Sequence, residues 1–211
     1  MSALKIGTPQ RLTDAAEAEL IANSGFLEMA AVAKRAGVSV GLAYHHFGSK
    51  TGLIAAVVDR FYGPVRDIAL GDAIPLDQEW RERERSRTAA LTGYFYDHPL
   101  APLIAGRLAR EPEVLDIERA HMDALLDLGA RNIAQGQRQG VVAPGLDPDV
   151  TVALLMGGQR TALDRAVLSE NRPDRAVLVD QIWAFTVNAL QLDRTHSVDP
   201  AHISLPIQKE A

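Results

Sequence analysis

The sequence predicts an all-α protein, a three-helix N-terminal head followed by a C-terminal helical body, with about nine helices in all. Three observations carry this. Alanine and leucine are abundant while aromatic residues make up only 5% of the chain, a composition that favours helix over strand. Apolar residues recur at helical spacing through nearly every long stretch. Glycine and proline fall between those stretches, at Gly37, Gly63-Pro64, His98-Pro99, Pro112 and Pro148. A length of 211 residues allows one large or two small domains with ample core.

Composition also narrows the function. Cysteine is absent, so disulfides and thiolate metal sites are excluded and a reducing compartment is compatible. The start, MSALKIGTPQ, lacks a signal peptide's apolar core, and no apolar run approaches the roughly 20 residues that cross a bilayer. A cytoplasmic protein with no membrane partner is expected. The net charge of −5 and pI near 5.7 argue against a simple nucleic-acid coat protein. Residues 1–60 are nevertheless slightly basic, with Lys5, Arg11, Lys34, Arg35, Lys50 and Arg60 against Asp14, Glu17, Glu19, Glu28 and Asp59.

Residues 1–8 read as a loose arm, with Lys5 placed to meet a phosphate. The first helix starts with Thr8 as cap and Pro9 in the first turn. It runs to about Ser24, burying Leu12, Ala15, Ala16, Leu20 and Ile21, and Gly25 ends it. Phe26 is expected under the next pair of helices. In that pair's first member Met29, Val32, Ala33 and Ala36 share one face. Gly37 supplies a positive φ at the helix end, Val38 returns to the core, and Ser39 caps a helix from Val40 to about Phe47. A helix, a glycine turn and a second helix make the helix-turn-helix unit, whose second helix enters the major groove of DNA. Phe47 is expected to fill the core of the head.

Ser49 caps a fourth helix carrying Leu53, Ile54, Val57, Val58 and Phe61, and Gly63-Pro64 is expected to interrupt and kink it. The stretch GDAIPLD, residues 71–77, reads as a loop. Helices follow over about 77–97 and, after His98-Pro99, to about Ala109; a long one then starts at Glu111-Pro112 and ends near Gln139. Asp147-Pro148 opens a helix reaching about Leu168, and the last runs from about Pro173 to Leu192. Residues 193–211 read as a tail. Val150, Val152, Leu154, Leu155 and Met156 circle their helix, and Gly157-Gly158 admits a close neighbour, so the last two helices suit a four-helix homodimer bundle or a single-chain core.

The run A-K-R-A-G-V-S-V-G-L-A-Y-H-H-F-G-S-K, residues 33–50, resembles the TetR/AcrR family of bacterial transcriptional repressors. The matching features are the Ala-Gly-Val-Ser turn, a glycine two residues on, a tyrosine, His then Phe, and Ser-Lys. The resemblance is dense and ungapped over the first quarter of the chain; beyond it only size and helical layout agree. It implies a DNA-binding head over 1–50, a connecting helix over 51–70 and a ligand-binding and dimerisation body over 71–192. It also implies a regulator that binds a palindromic double-stranded operator as a dimer and is released by a small-molecule inducer, with no cofactor and no enzymatic activity.

On matching positions, Tyr44, His46 and Lys50 are expected to hold phosphates, and Ser39 to cap the reading helix, with Val40, Gly41 and Leu42 against base edges. Lys50 stands at the positive end of the fourth helix, which suits an anion. The chain departs from the family in two places. Its base-facing positions hold no Arg, Lys, Asn or Gln, so bidentate contacts to guanine or adenine are missing. Specificity then falls to thymine methyls met by Val40 and Leu42, to groove shape, or to His45. Glu28 stands where the family often places Thr or Ser. Both departures motivate an alternative, a helical sensor or adaptor with weak or lost DNA binding.

In the body, the polar or aromatic residues Tyr94, His98, His121, Met122, Arg160 and Trp183 on otherwise apolar helices are the candidate ligand contacts. No metal site is expected. His45 and His46 point about 100° apart on a helix, and Glu118 and His121, although spaced as in di-iron bundles, lack a second copy. The nucleophile and metalloprotease signatures G-x-S-x-G and H-E-x-x-H and the phosphate loop are absent, which argues against an enzyme.

Overall fold

In the computed structural model, which describes residues 7–70, 79–108 and 111–192, those residues form nine α-helices and no strand. They are α1 (Thr8–Ala22), α2 (Met29–Ala36), α3 (Val40–Phe47), α4 (Lys50–Leu70), α5 (Trp80–Asp97), α6 (Ala101–Ala105), α7 (Pro112–Arg138), α8 (Pro148–Leu168) and α9 (Arg175–Leu190). The expected arm with Lys5, the loop at 71–77 and the tail at 193–211 lie outside the described residues. No helix among those described is long and apolar enough to cross a membrane.

Local signals set most of the boundaries. Gly37 ends α2 at φ 66°, a conformation that would strain a residue bearing Cβ. Ser39 caps α3, its Oγ accepting from the Leu42 N–H at 3.2 Å, and Ser49 caps α4 by accepting from Gly52 N–H at 2.9 Å. Asp147 accepts from Val150 N–H at 3.0 Å ahead of Pro148, and Asp174 does the same work for α9 through Ala176 and Val177.

The packing departs from the sequence expectation at four places. Thr8 is the first helical residue rather than the cap, which is Gly7, because Pro9 fits at the second helical position. α1 ends at Ala22, and Ile21 is 39% exposed, since the positive φ of Ser24 and Gly25 swings the chain away. Phe26 is 56% exposed; instead of packing under α2 it lies beneath the Arg107 guanidinium, whose carbon is 3.3 Å from the ring centroid. Pro64 does not interrupt α4. The helix runs through it because Phe61, Tyr62 and Val65 on either side are buried against the body and hold both turns in place.

One continuous core links α1–α4 to the body through Leu12, Val32, Ala43, Leu53, Val57 and Phe61 on one side and Phe95, Ile104, Leu163 and Ile182 on the other. A second cluster of Trp80, Ile133, Val142, Val152, Leu155 and Leu190 closes the far end of the body. α4 packs on α1 and α3 and also on α5 and α7. Ion pairs from Arg60 to Asp14 and Glu17 add to its hold on α1. Burial by itself would lower the pKa of Arg60, but the hydrogen bonds to both carboxylates raise it on balance.

Candidate functional site

Two surfaces carry chemistry, one on the head and one inside the body. On the head, α3 buries only Ala43 completely, while Phe47 is partly buried against the core. The remaining side chains face outward: Val40 is 38%, Leu42 36% and Tyr44 44% exposed, and Gly41, His45, His46 and Lys50 are exposed as well. Ser39 spends its hydroxyl on the cap, so its part in this surface is to aim the helix. Sequence reasoning passed over Gly52. A Cβ there would stand 2.3 Å from the carbonyl oxygen of Phe47, so the close approach of α4 to the end of α3 requires glycine. That contact places the start of α4, with Lys50, against the end of α3.

Within the body, α4, α5, α7, α8 and α9 enclose a cavity of about 610 Å³, a volume usual for small-molecule sites. Its walls are largely apolar, with Leu91, Phe95, Leu125, Ile133 and Leu163 among them. At one end stands a polar cluster built from three helices. Arg160 on α8 donates through Nε to both oxygens of Asp164 at 2.9 Å, through Nη1 to the Tyr62 hydroxyl at 2.7 Å, and through Nη2 to Glu118 Oε1 at 3.0 Å. Tyr62 on α4 in turn donates to Glu118 Oε1 on α7 at 2.6 Å. Burial is the main cause that pushes the Tyr62 hydroxyl pKa far up, and it therefore stays a donor. The His121 ring stacks on Tyr62 at 5.0 Å, and its Nε2 is 2.9 Å from Asp59 Oδ1 back on α4.

The structure thus brings together three of the six expected ligand contacts: His121, Met122 and Arg160 line the cavity. Tyr94, His98 and Trp183 do not. Tyr94 turns toward α4, its hydroxyl donating to the Phe61 carbonyl at 2.7 Å, and burial pushes its pKa up to about 12. His98 meets the Phe61 ring edge-on at 4.9 Å, and its Nδ1 accepts from Leu100 N–H. Trp183 is 8% exposed, in the core. Tyr62 and Asp164, central to the cluster, were missed in the sequence. The i,i+4 pairing of Arg160 with Asp164 on an apolar helix was the available signal for the second.

A family model described as "Bacterial regulatory proteins, tetR family" matches residues 12–57, which span α1–α3 and the first half of α4. No curated protein matches the chain by sequence. Among solved structures, FadR from Bacillus subtilis, in complex with stearoyl-CoA, is similar at TM-score 0.72 and 18% identity, covering 85% of this chain and 97% of that one. GusR from Salmonella enterica aligns at TM-score 0.69 and 20% identity over 90% of this chain and 98% of its own. A TetR-like transcriptional regulator from a Rhodococcus species aligns at TM-score 0.66 and 22% identity, over 90% and 99%. Residues 12–57 thus match the head of that family, and over most of its length the chain shares the fold of these solved structures.

Proposed function

We propose that the protein is a cytoplasmic transcriptional repressor that binds a palindromic operator as a homodimer and leaves it when a small molecule enters the body. The observation that carries this reading is the double duty of α4. Its first half supplies Leu53, Ile54, Val57 and Val58 to the core shared with α1–α3, while Tyr62, Val65 and Ala69 line the cavity. A ligand that favours one position of α4 therefore favours one position of the reading helix, and only that difference in affinity can move the equilibrium. The similar FadR structure is in complex with stearoyl-CoA, which supports a small-molecule ligand for this chain as well.

The reading helix meets DNA through Val40, Gly41, Leu42 and His45 at base edges and Tyr44, His46 and Lys50 at phosphates. Dimerisation is assigned to α8 and α9, where Val150, Leu154, Val177 and Phe185 are more than half exposed, at 58%, 69%, 51% and 53%. A twin copy places the two reading helices roughly 34 Å apart, one turn of DNA. The division into a head at 1–50, a connector at 51–70 and a body at 71–192 follows, with α4 belonging mechanically to both sides.

Fluorescence anisotropy on the DNA upstream of the protein's own gene tests this. Tyr44→Ala and Lys50→Ala are expected to weaken binding about equally for all sequences, and Lys50→Ala to flatten the salt slope by about one unit. Full affinity in either variant would remove the assigned surface. A second reading, a sensor that has lost its operator, rests on Glu28 beside the reading unit and on the lack of Arg, Lys, Asn or Gln on the base-facing turn. Sequence-blind, salt-sensitive binding by the wild type would favour it.

A further inference from the structure

We infer that the cavity takes an amphipathic amine, its protonated nitrogen at Glu118 and its apolar part along α5 and α7; this rests on the cavity being the ligand site. The charges on the wall decide the class. Three arginines line it, and each already faces a carboxylate: Arg87 with Glu84, Arg119 with Asp116, and Arg160 with both Glu118 and Asp164. The two part-buried arginines, Arg87 and Arg160, are thus already paired away from water, while Arg119 is 68% exposed and stands out toward solvent with Asp116.

The polar end has the opposite imbalance. One guanidinium stands against two carboxylates, so the Tyr62–Glu118–Arg160–Asp164 cluster carries a net negative charge. Glu118 is largely withdrawn from water, its side chain only 17% exposed. Both of its hydrogen bonds among the described residues fall on Oε1, from Tyr62 and Arg160, so Oε2 keeps its lone pairs for another donor. A carboxylate entering here would meet like charge in a poorly hydrated place, whereas an ammonium completes the balance and gains a charge-assisted hydrogen bond. Leu91, Leu125, Ile133 and Leu163 continue the wall away from Glu118 and suit a hydrocarbon portion.

The test uses the full-length protein and three chain-matched probes, decylamine, decanol and decanoate, titrated calorimetrically at neutral pH. Decylamine is expected to bind tightest, about tenfold ahead of decanoate. Glu118→Gln should cost decylamine about tenfold while decanol stays within about twofold, which also shows that the cavity has kept its shape. Decanoate binding as well as or better than decylamine overturns the proposal, as does a Glu118→Gln protein that holds decylamine unchanged. The wild-type ranking stands alone should the variant fold poorly. Leu125→Trp, which fills the cavity, separates the two levels. Probes that it blocks but that rank carboxylate first overturn the amine and leave the site standing. Probes that bind it and the wild type alike, or that never bind the wild type, overturn the site and the amine together.

Discussion

The head and the body use the same kind of helix to opposite ends. In the head, α1–α3 and the start of α4 bury Leu12, Leu20, Val32, Ala43, Leu53 and Val57 to 0% exposure in a filled core. In the body, helices up to 27 residues long surround about 610 Å³ of open space, and wall residues such as Leu91 and Leu125 are only partly buried. The smaller unit is filled, whereas the larger one is left incomplete around its cavity, as the proposed division between a DNA surface and a ligand site would require. Close packing means that any displacement of α4 under the proposed mechanism would carry the head as one piece, because a filled core deforms little.

The strongest way to break this comparison is to cut the same side chain on both sides. Leu53→Ala removes a fully buried leucine from the head and leaves a cavity behind, so it is expected to cost about 2–5 kcal/mol of unfolding free energy and operator binding with it. Leu125→Ala removes a side chain that already borders open space, so little further cavity is made and the cost is expected near 1 kcal/mol. Urea denaturation of both variants measures the difference. Equal losses would mean that the body is as tightly filled as the head.

A smaller effect sharpens the comparison within the body, where α7 and α8 touch. A Cβ on Gly129 would come within 2.3 Å of Val152 Cγ2, while one on Gly157 meets nothing within 4 Å in the single chain. Gly129→Ala is therefore expected to lose about 1–2 kcal/mol, the overpacking exceeding the gain in helix propensity. Gly157→Ala should stabilise an isolated subunit by up to about 1 kcal/mol. If a second copy covers α8 closely, that gain turns into weaker dimerisation, which sedimentation reads directly.

The two regions also differ in how far the sequence revealed them. The helix-turn-helix unit was legible because each of its signals acts on near neighbours: Gly37 ends one helix and Ser39 caps the next three residues away. The start of α8 at Asp147-Pro148 was legible for the same reason. The cavity cluster joins residues 98, 56 and 42 positions apart, so no local pattern announces it. Of its members Arg160 stood out as a charge on an apolar helix, and Glu118 only through its spacing to His121. Tyr94, His98 and Trp183 carried the same kind of signal yet face α4 or the core, since periodicity names a buried face without saying what lies opposite. Pro64 failed in the other direction, a local breaker overruled by packing on both sides.

The smallest effect concerns the seam between the two regions, where His98 touches both. Its ring packs on Phe61 of α4 and on Tyr94, with Nε2 4.0 Å from Glu17 Oε1 on α1. The Leu100 N–H donates to Nδ1, which leaves the neutral ring's proton on Nε2, toward Glu17. Burial lowers the His98 pKa below the ordinary 6.5, and Arg60 lowers it further, with Glu17 opposing them only in part. The unfolded chain therefore takes up this proton first. Stability is full above the ordinary value, falls as pH drops from 6.5 toward the depressed folded value, and levels off below it. His98→Gln abolishes this contribution, so its urea midpoint is expected to fall less than the wild type's over that window. Parallel falls in the two proteins would show that acid acts at other groups and that His98 is neutral to the seam.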